Sequence, residues 1–330
     1  MAVPDFSSFL SPLAPKLGEV EAEIRRLTQS RAFEVNRLAE HVSKGSGKRL
    51  RPSMVLLASW FCGCTTSEDV RYGAIFELVH NATLIHDDII DHATTRRGKP
   101  SLNAAWGNTR SVLFGDFLYM QAVKSALEGR NWRMMEIIAD VTTRMTEGEL
   151  IQSEYLYRLD TSRQVYFDVL ERKTALLFSG CTECGAVLAE RDRQTCAAMA
   201  RYGLELGRAF QMVDDLLDYT ATAEHLGKPA FSDLHEGKLT LPMLTLLERA
   251  PEQAGPMVRR VWGADPPAVA DDQAARLREL MASHGVLDEC RELAAQASRS
   301  AAEALPSGDG DPTAAALLTE IPALLLERTR

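Results

Sequence analysis

The sequence predicts an all-α protein folded as one unit, and three observations carry that prediction. No stretch alternates apolar and polar residues over a useful strand length, whereas apolar residues recur at helical spacing in many segments. The composition is globular with material for a large core, 45% hydrophobic and 25% charged in 330 residues. One pattern, Asp-Asp-x-x-Asp, occurs twice: Asp87-Asp88-Ile89-Ile90-Asp91 and Asp214-Asp215-Leu216-Leu217-Asp218, each on an apolar helical stretch. If the two clusters meet, no domain boundary falls between them, and residues 1–330 form a single domain.

Taken in order, residues 6–43 read as two peripheral helices, with Leu17, Val20, Ile24 and Leu27 on one face and Glu and Arg between them. The segment 43–47 is a loop whose glycines let backbone approach a ligand closely. Lys48-Arg49-Leu50-Arg51-Pro52 opens the next helix. Lys48 and Arg51 point the same way, beside a helix start whose N–H groups favour anions. Thr66 or Ser67 is expected to cap the helix of the first Asp cluster, apolar through Ile75, Phe76, Leu78, Val79, Leu84 and Ile85. His80 lies two turns before Asp87 on nearly the same face.

The loop 94–100 holds Arg96 and Arg97, whose guanidinium groups suit paired hydrogen bonds to phosphate oxygens. Helices follow over 110–128 and 132–156. Asp160-Thr161-Ser162 caps another that runs to Glu190, its apolar face interrupted by Lys173-Thr174. A lysine beside Ala175, Leu176 and Leu177 is costly to bury without an anion. After the second cluster, Gly227-Lys228-Pro229 and 233–242, with Gly237 and Lys238, form a loop into a helix. Residues 254–272, rich in Gly, Pro and Asp, read as a loop. Amphipathic helices are expected at 274–284 and 287–304, and a turn at 307–312 precedes a last helix.

The Asp clusters carry the chemistry. On a helix Asp87 and Asp91 share a face, with Asp88 turned part of the way round. Three carboxylates within two turns repel one another unless something cationic lies between them. A solvated acidic face does not suit these apolar surroundings, whereas Mg²⁺ does. It takes one or two carboxylates and completes its shell with phosphate oxygens and water. One such cluster is weak evidence. Two, facing each other, read as a diphosphate site held by several Mg²⁺.

Other classes fare worse. A net charge of −9 argues against a nucleic-acid partner. No apolar run reaches the ~18 residues of a membrane span, and the start has no basic segment followed by an apolar core. Cys62-Gly-Cys64 and Cys181-Thr-Glu-Cys184 have zinc-like spacing but no accompanying His pair, and read as free thiols in a reducing cytoplasm.

From Gly47 to about Pro242 the order of motifs resembles that of the all-trans polyprenyl diphosphate synthases, most of all the bacterial long-chain, octaprenyl-type members. The resemblance implies an isoprenoid-synthase helical bundle around a central cavity, with 1–43 peripheral and 44–330 catalytic. It also implies a cytoplasmic homodimer, and Mg²⁺ bound at about three ions per site. It assigns Lys48, Arg51, His80 and Arg97 to isopentenyl diphosphate. Arg96, Lys173, Thr174, Gln211, Lys228 and Lys238 go to the allylic diphosphate, with Lys173, Thr174 and Gln211 catalytic. Asp87, Asp88, Asp91, Asp214, Asp215 and Asp218 are the metal residues.

Product length is argued from helix geometry. Ala82 and Thr83 lie one turn back from Asp87, about 6–8 Å along the axis at ~1.5 Å per residue. Both are small, Val79 is modest, and Phe76 is the first side chain large enough for a floor. Met134, Ile137, Ile138 and Val141 are placed on a helix opposite. The expectation is a product beyond geranylgeranyl diphosphate, such as octaprenyl diphosphate, a quinone side-chain precursor. A medium-chain synthase stopping at farnesyl or geranylgeranyl diphosphate is the nearest alternative. His86-Asp87 superficially matches a metal-dependent phosphohydrolase, which would not need the second cluster. A class I terpene cyclase would need no isopentenyl diphosphate pocket. A non-catalytic partner subunit would be free to lose Asp87, Lys173 and Gln211.

Overall fold

The structure is a computed structural model that describes residues 9–43, 47, 49–96, 98–220, 230–264, 267–307 and 310–327. Its helices are α1 (Ala14–Thr28), α2 (Phe33–Ser43), α3 (Leu50–Cys62), α4 (Glu68–Ile90), α5 (Leu102–Trp106), α6 (Asn108–Glu128) and α7 (Trp132–Glu154). Then come α8 (Arg163–Leu170), a π-helical segment (Glu171–Ala175), α9 (Leu176–Leu188) and α10 (Arg193–Thr220). After them lie α11 (Ser232–His235), α12 (Leu241–Arg249), α13 (Pro251–Trp262), α14 (Asp271–Ser283), α15 (Val286–Ala304) and α16 (Pro312–Glu327). One small antiparallel hairpin, β1 (Thr95–Arg96) and β2 (Lys99–Pro100), interrupts the helices and pairs Arg96 with Lys99. The chain is all-α, as its periodicity predicts.

The helices bury two adjoining apolar clusters, and α10 belongs to both. It gives Met199, Tyr202 and Leu206 to the cluster of α1, α3, α4, α6, α7, α9 and α16. Ala209, Met212 and Leu216, further along the same helix, join the cluster of α8 and α12–α15. Burying each large aliphatic side chain contributes roughly 1.5–3 kcal/mol, so α10 is held along both halves of its length. The second Asp cluster stands at its C-terminal end.

Three local expectations change. Residues 254–272 are not all loop, because α13 runs from Pro251 to Trp262. Pro251 starts it where no N–H is needed, and Ala254, Val258 and Val261 supply a buried stripe. Pro256 faces solvent, where its ring is tolerated. Ser67 occupies the N-cap of α4, but its side chain makes no capping bond. Asp69, in the first turn, accepts from Val70 N and pairs with Lys16 instead. The helix capped by Ser162, whose Oγ accepts from Val165 N at 3.3 Å, does not run unbroken to residue 190. It widens into the π turn at the Lys173-Thr174 interruption, and π turns inside α-helices gather at functional sites.

Candidate active site

The first Asp cluster sits at the C-terminal end of α4. Asp91 is the C-cap, its N–H donating to Asp87 O at 2.8 Å. That end of a helix already carries partial negative charge, so three carboxylates there demand cations. Three segments send them. Arg96, from the hairpin, holds buried Asp88 through Nε at 2.7 and 2.8 Å and through Nη2 at 2.6 Å. Lys238 reaches Asp91 Oδ2 at 2.8 Å and Glu236 at 2.7 Å. Lys173, from the π turn, pairs with Glu149 of α7 at 2.6 Å and donates to Gln152. Burial pushes the Asp87 carboxyl up to about 7, against the pull of Lys173 and with the push of Glu149 and Asp91.

The second cluster divides its labour. Asp214 is exposed, while Asp215 and Asp218 are buried and turned to protein donors. Asp215 accepts from Tyr166 Oη at 2.6 Å and from Gln211 Nε2 at 2.8 Å. Gln211 Oε1 accepts from the Thr174 hydroxyl at 2.7 Å. Asp218 accepts from Ser232 Oγ at 2.7 Å and from the backbone N–H groups of Ser232 and Asp233 at 3.3 Å, capping α11. Asp88, Asp215 and Asp218 therefore hold the scaffold around Asp87, Asp91 and Asp214.

Two glycines let the π turn lie this deep. A Cβ on Gly148 of α7 would stand 2.8 Å from Arg172 Cβ, and one on Gly207 of α10 would stand 2.5 Å from Ala175 Cα. Either would push the turn, and Lys173 with it, out of place.

Of the residues expected on isopentenyl diphosphate, Arg51 lies in the first turn of α3 with its guanidinium 5.1 Å from the centre of the Phe178 ring. His80 is buried on α4. Arg49, two residues before Arg51, is committed to Glu21 and Glu77 and is structural. Lys48, Arg97 and Lys228 lie outside the described residues.

Helix geometry separates the residues expected to set product length. At about 100° per residue, Thr83 and Phe76 fall within about 40° of Asp87 around α4, whereas Ala82 falls about 140° away and is fully buried. Thr83 is partly exposed, with its hydroxyl on His80 O at 2.8 Å, and lies on the Asp87 side of α4. Below it Phe76 meets α9: a Cβ on Gly180 would stand 3.1 Å from the Phe76 ring, 3.0 Å from Val141 and 3.4 Å from Ile137. Phe76, Gly180, Val141 and Ile137 make one layer, about 16 Å along the helix from Asp87. Met134 and Ile138 are buried in the same cluster.

Among the described residues no three carboxylates, imidazoles or thiols form a ready-made metal cage. The donor set still fits a hard cation. Asp87, Asp91 and Asp214 offer carboxylate oxygens, and an ion shared with a diphosphate asks for only one or two such ligands. His86 does not join Asp87 as a ligand pair. It packs against Gly115 of α6, within 3.2 Å of Val112 O. The cysteines are free, and Cys181 and Cys184 are buried thiols. A cavity of about 1070 Å³ opens on the other side of α4, lined by Glu21, Arg25, Arg49, Asn81 and Phe114. Asp87, Lys173 and Asp214 do not line it.

Sequence reasoning passed over Glu149, Gln152, Tyr166 and Glu236. The signal for the first two is Gly148, a lone glycine inside a helical pattern, which marks a close approach. Tyr166 and Glu236 have no local signal.

Two acidic helix ends inside an all-α scaffold, the first of them paired with Lys238, carry the oxygen donors that a divalent metal and a phosphorylated substrate require. The chain belongs to the polyprenyl synthetase family of prenyltransferases, whose family model matches residues 33–277. It is 33% identical over 309 residues to an all-trans-nonaprenyl-diphosphate synthase (geranyl-diphosphate specific) of Rhodobacter capsulatus, spanning 92% of this chain and 93% of that protein. It is 36% identical over 246 residues to the octaprenyl diphosphate synthase of Escherichia coli, 74% of this chain and 76% of that one. A polyprenyl synthase from Caulobacter crescentus, solved with calcium and isoprenyl diphosphate, has a TM-score of 0.90 at 33% identity, over 100% of this chain and 99% of the other.

Proposed function

We propose that this protein condenses isopentenyl diphosphate head-to-tail with an allylic diphosphate and repeats the step to give a long-chain, all-trans polyprenyl diphosphate. Asp87, Asp91 and Asp214 hold about three Mg²⁺, which when bound neutralise the leaving diphosphate. Lys173 and Lys238, with Arg96 and Lys228, add positive charge to the same oxygens. The allylic C–O bond breaks, and the resulting cation faces the oxygens of Thr174 and Gln211 inside apolar walls that keep water out. Arg51 and His80, with Lys48 and Arg97, orient isopentenyl diphosphate so that its double bond attacks the cation. A carbon–carbon bond forms, a proton is lost, and the released diphosphate beside it accepts that proton.

One observation carries this reading. Lys238 pairs with Asp91 of the first Asp cluster, while the π turn that carries Lys173 is bonded to the second through Thr174, Gln211 and Asp215, and Asp218 anchors Ser232 in the segment that leads to Lys238. The phosphohydrolase alternative has no use for this, and its His86-Asp87 pair is split by the packing of His86 on α6.

Long-chain synthesis is supported by the small Thr83 beside Asp87 and by the names of the relatives. The Phe76 layer is one ring with the methyl groups of Val141 and Ile137 around Gly180, about 16 Å along α4 from Asp87. A homodimer is supported by α6, where Leu113, Met120 and Leu127, seven apart, are 63%, 60% and 50% exposed. Such a stripe suits a second copy. Six free cysteines accord with a reducing cytoplasm, and no helix among the described residues is long and apolar enough to cross a membrane. The shared use of α10 by both cores supports one catalytic domain.

Incubation with labelled isopentenyl diphosphate, geranyl diphosphate and Mg²⁺ tests the reaction. Label should pass into apolar-extractable product only when all three are present. Release of inorganic phosphate without coupling would replace this reading with hydrolysis.

A further inference from the structure

The loop that follows the second Asp cluster ties it to the first. Asp218 caps α11 through Ser232 and Asp233, and the next turn carries Glu236, Gly237 and Lys238. Gly237 has φ +80°, a conformation that favours glycine. Its carbonyl accepts from Tyr157 N at 2.8 Å, and the Tyr157 ring lies where a Cβ would be, 2.8 Å away. Lys238 N donates to Asp233 O at 2.8 Å. The turn is thus pinned at both sides, and its lysine, only 12% exposed, places one ammonium between Asp91 at 2.8 Å and Glu236 at 2.7 Å.

A metal ion on Asp91 and this ammonium compete for one carboxylate. A buried ammonium deprived of its only partner is strongly unfavourable, whereas one with a second carboxylate within reach is not. We propose that Glu236 is a positioning residue that keeps Lys238 paired when Asp91 turns to metal, so that the lysine is held beside the diphosphate rather than obstructing the first cluster. This rests on the reading of Asp91 as a metal ligand. Glu236 itself touches neither metal nor substrate.

The test is calorimetric titration of Mg²⁺ into enzyme saturated with inorganic diphosphate, for wild type, Glu236→Gln, Glu236→Asp, Lys238→Gln and the Glu236→Gln/Lys238→Gln double variant, each checked for helicity. Loss of one charged hydrogen bond predicts a Kd for Mg²⁺ raised about tenfold in Glu236→Gln. Most of the affinity should return in Glu236→Asp, and the double variant should match Lys238→Gln. The proposal is overturned if Glu236→Gln binds Mg²⁺ as wild type does, or if its penalty persists without Lys238. It is equally overturned if Lys238→Gln no longer binds Mg²⁺, since the lysine would then be no competitor. Wild-type protein that fails to bind Mg²⁺ would instead remove the assignment of Asp91 on which it rests.

Discussion

The Thr174 hydroxyl donates to Gln211 Oε1 at 2.7 Å, which joins the π turn of one helix to the second Asp cluster on another. The line continues through Gln211 Nε2 to Asp215 and ends at the Tyr166 phenol. Thr174→Val removes the first bond at almost unchanged volume. The expected result is a kcat lowered roughly tenfold or more, from about 1.5–3 kcal/mol of lost positioning and charge stabilisation, with little change in KM. Steady-state kinetics with both substrates reads the split, and a change confined to KM would detach Thr174 from the chemical step.

The two clusters should differ residue by residue. Asp87→Ala and Asp214→Ala each remove a carboxylate proposed to hold metal and no apolar core packing, so turnover should vanish while the protein stays folded. Asp218→Ala removes the cap of α11 and leaves Ser232 Oγ without its acceptor, which predicts a destabilisation of about 1–2 kcal/mol with part of the activity retained. Circular dichroism melts beside activity assays decide between these outcomes. Normal coupling by Asp87→Ala would defeat the two-cluster site.

Metal and pH should act against each other. Burial raises Asp87 and Asp215 from an ordinary 3.8 to about 7 in the metal-free protein. A carboxyl raised on folding stabilises the fold fully below its unfolded pKa, and that contribution is lost as pH rises through the folded value. Metal-free protein in EDTA should therefore lose thermal stability from about pH 4 to about pH 7. Because protons compete with Mg²⁺ at Asp87, its affinity should rise over the same window. Melting curves across pH, with and without Mg²⁺, check both signs.

Most of the helices were legible in the sequence because apolar spacing alone dictates them. The two Asp clusters were legible because identical patterns on two apolar helices have no cheaper explanation. What could not be read depends on contacts between segments remote in the chain. Nothing near Glu236 or Tyr166 tells of Asp91 or Asp215, which lie 147 and 49 residues from Lys238 and Tyr166. The π turn was visible only as a lysine in the wrong place. Sequence alone puts Ala82 and Thr83 together as small residues near Asp87, but one residue of helix rotation separates them, and only Ala82 is fully buried. The helix α13 was missed because its prolines resemble loop residues when their exposure is unknown.

Product length should answer to Thr83 and Phe76 in opposite senses. Thr83→Phe places a ring one turn from Asp87 and should stop growth after the first condensations. Phe76→Ala opens the layer shared with Gly180, Val141 and Ile137 and should lengthen the product. It should also cost about 3–5 kcal/mol of stability, so its melting curve is needed beside the product analysis. A Thr83→Phe enzyme with the wild-type product would place the tunnel elsewhere.

The measurement that bears most directly on the whole account is the product formed by wild-type enzyme from isopentenyl diphosphate and an allylic starter in Mg²⁺, resolved by chain length after removal of the diphosphate. The account predicts an all-trans alcohol longer than geranylgeraniol, absent when Mg²⁺ is chelated. A product that stops at farnesol or geranylgeraniol would contradict the long-chain tunnel, and no carbon–carbon coupling at all would contradict the site itself.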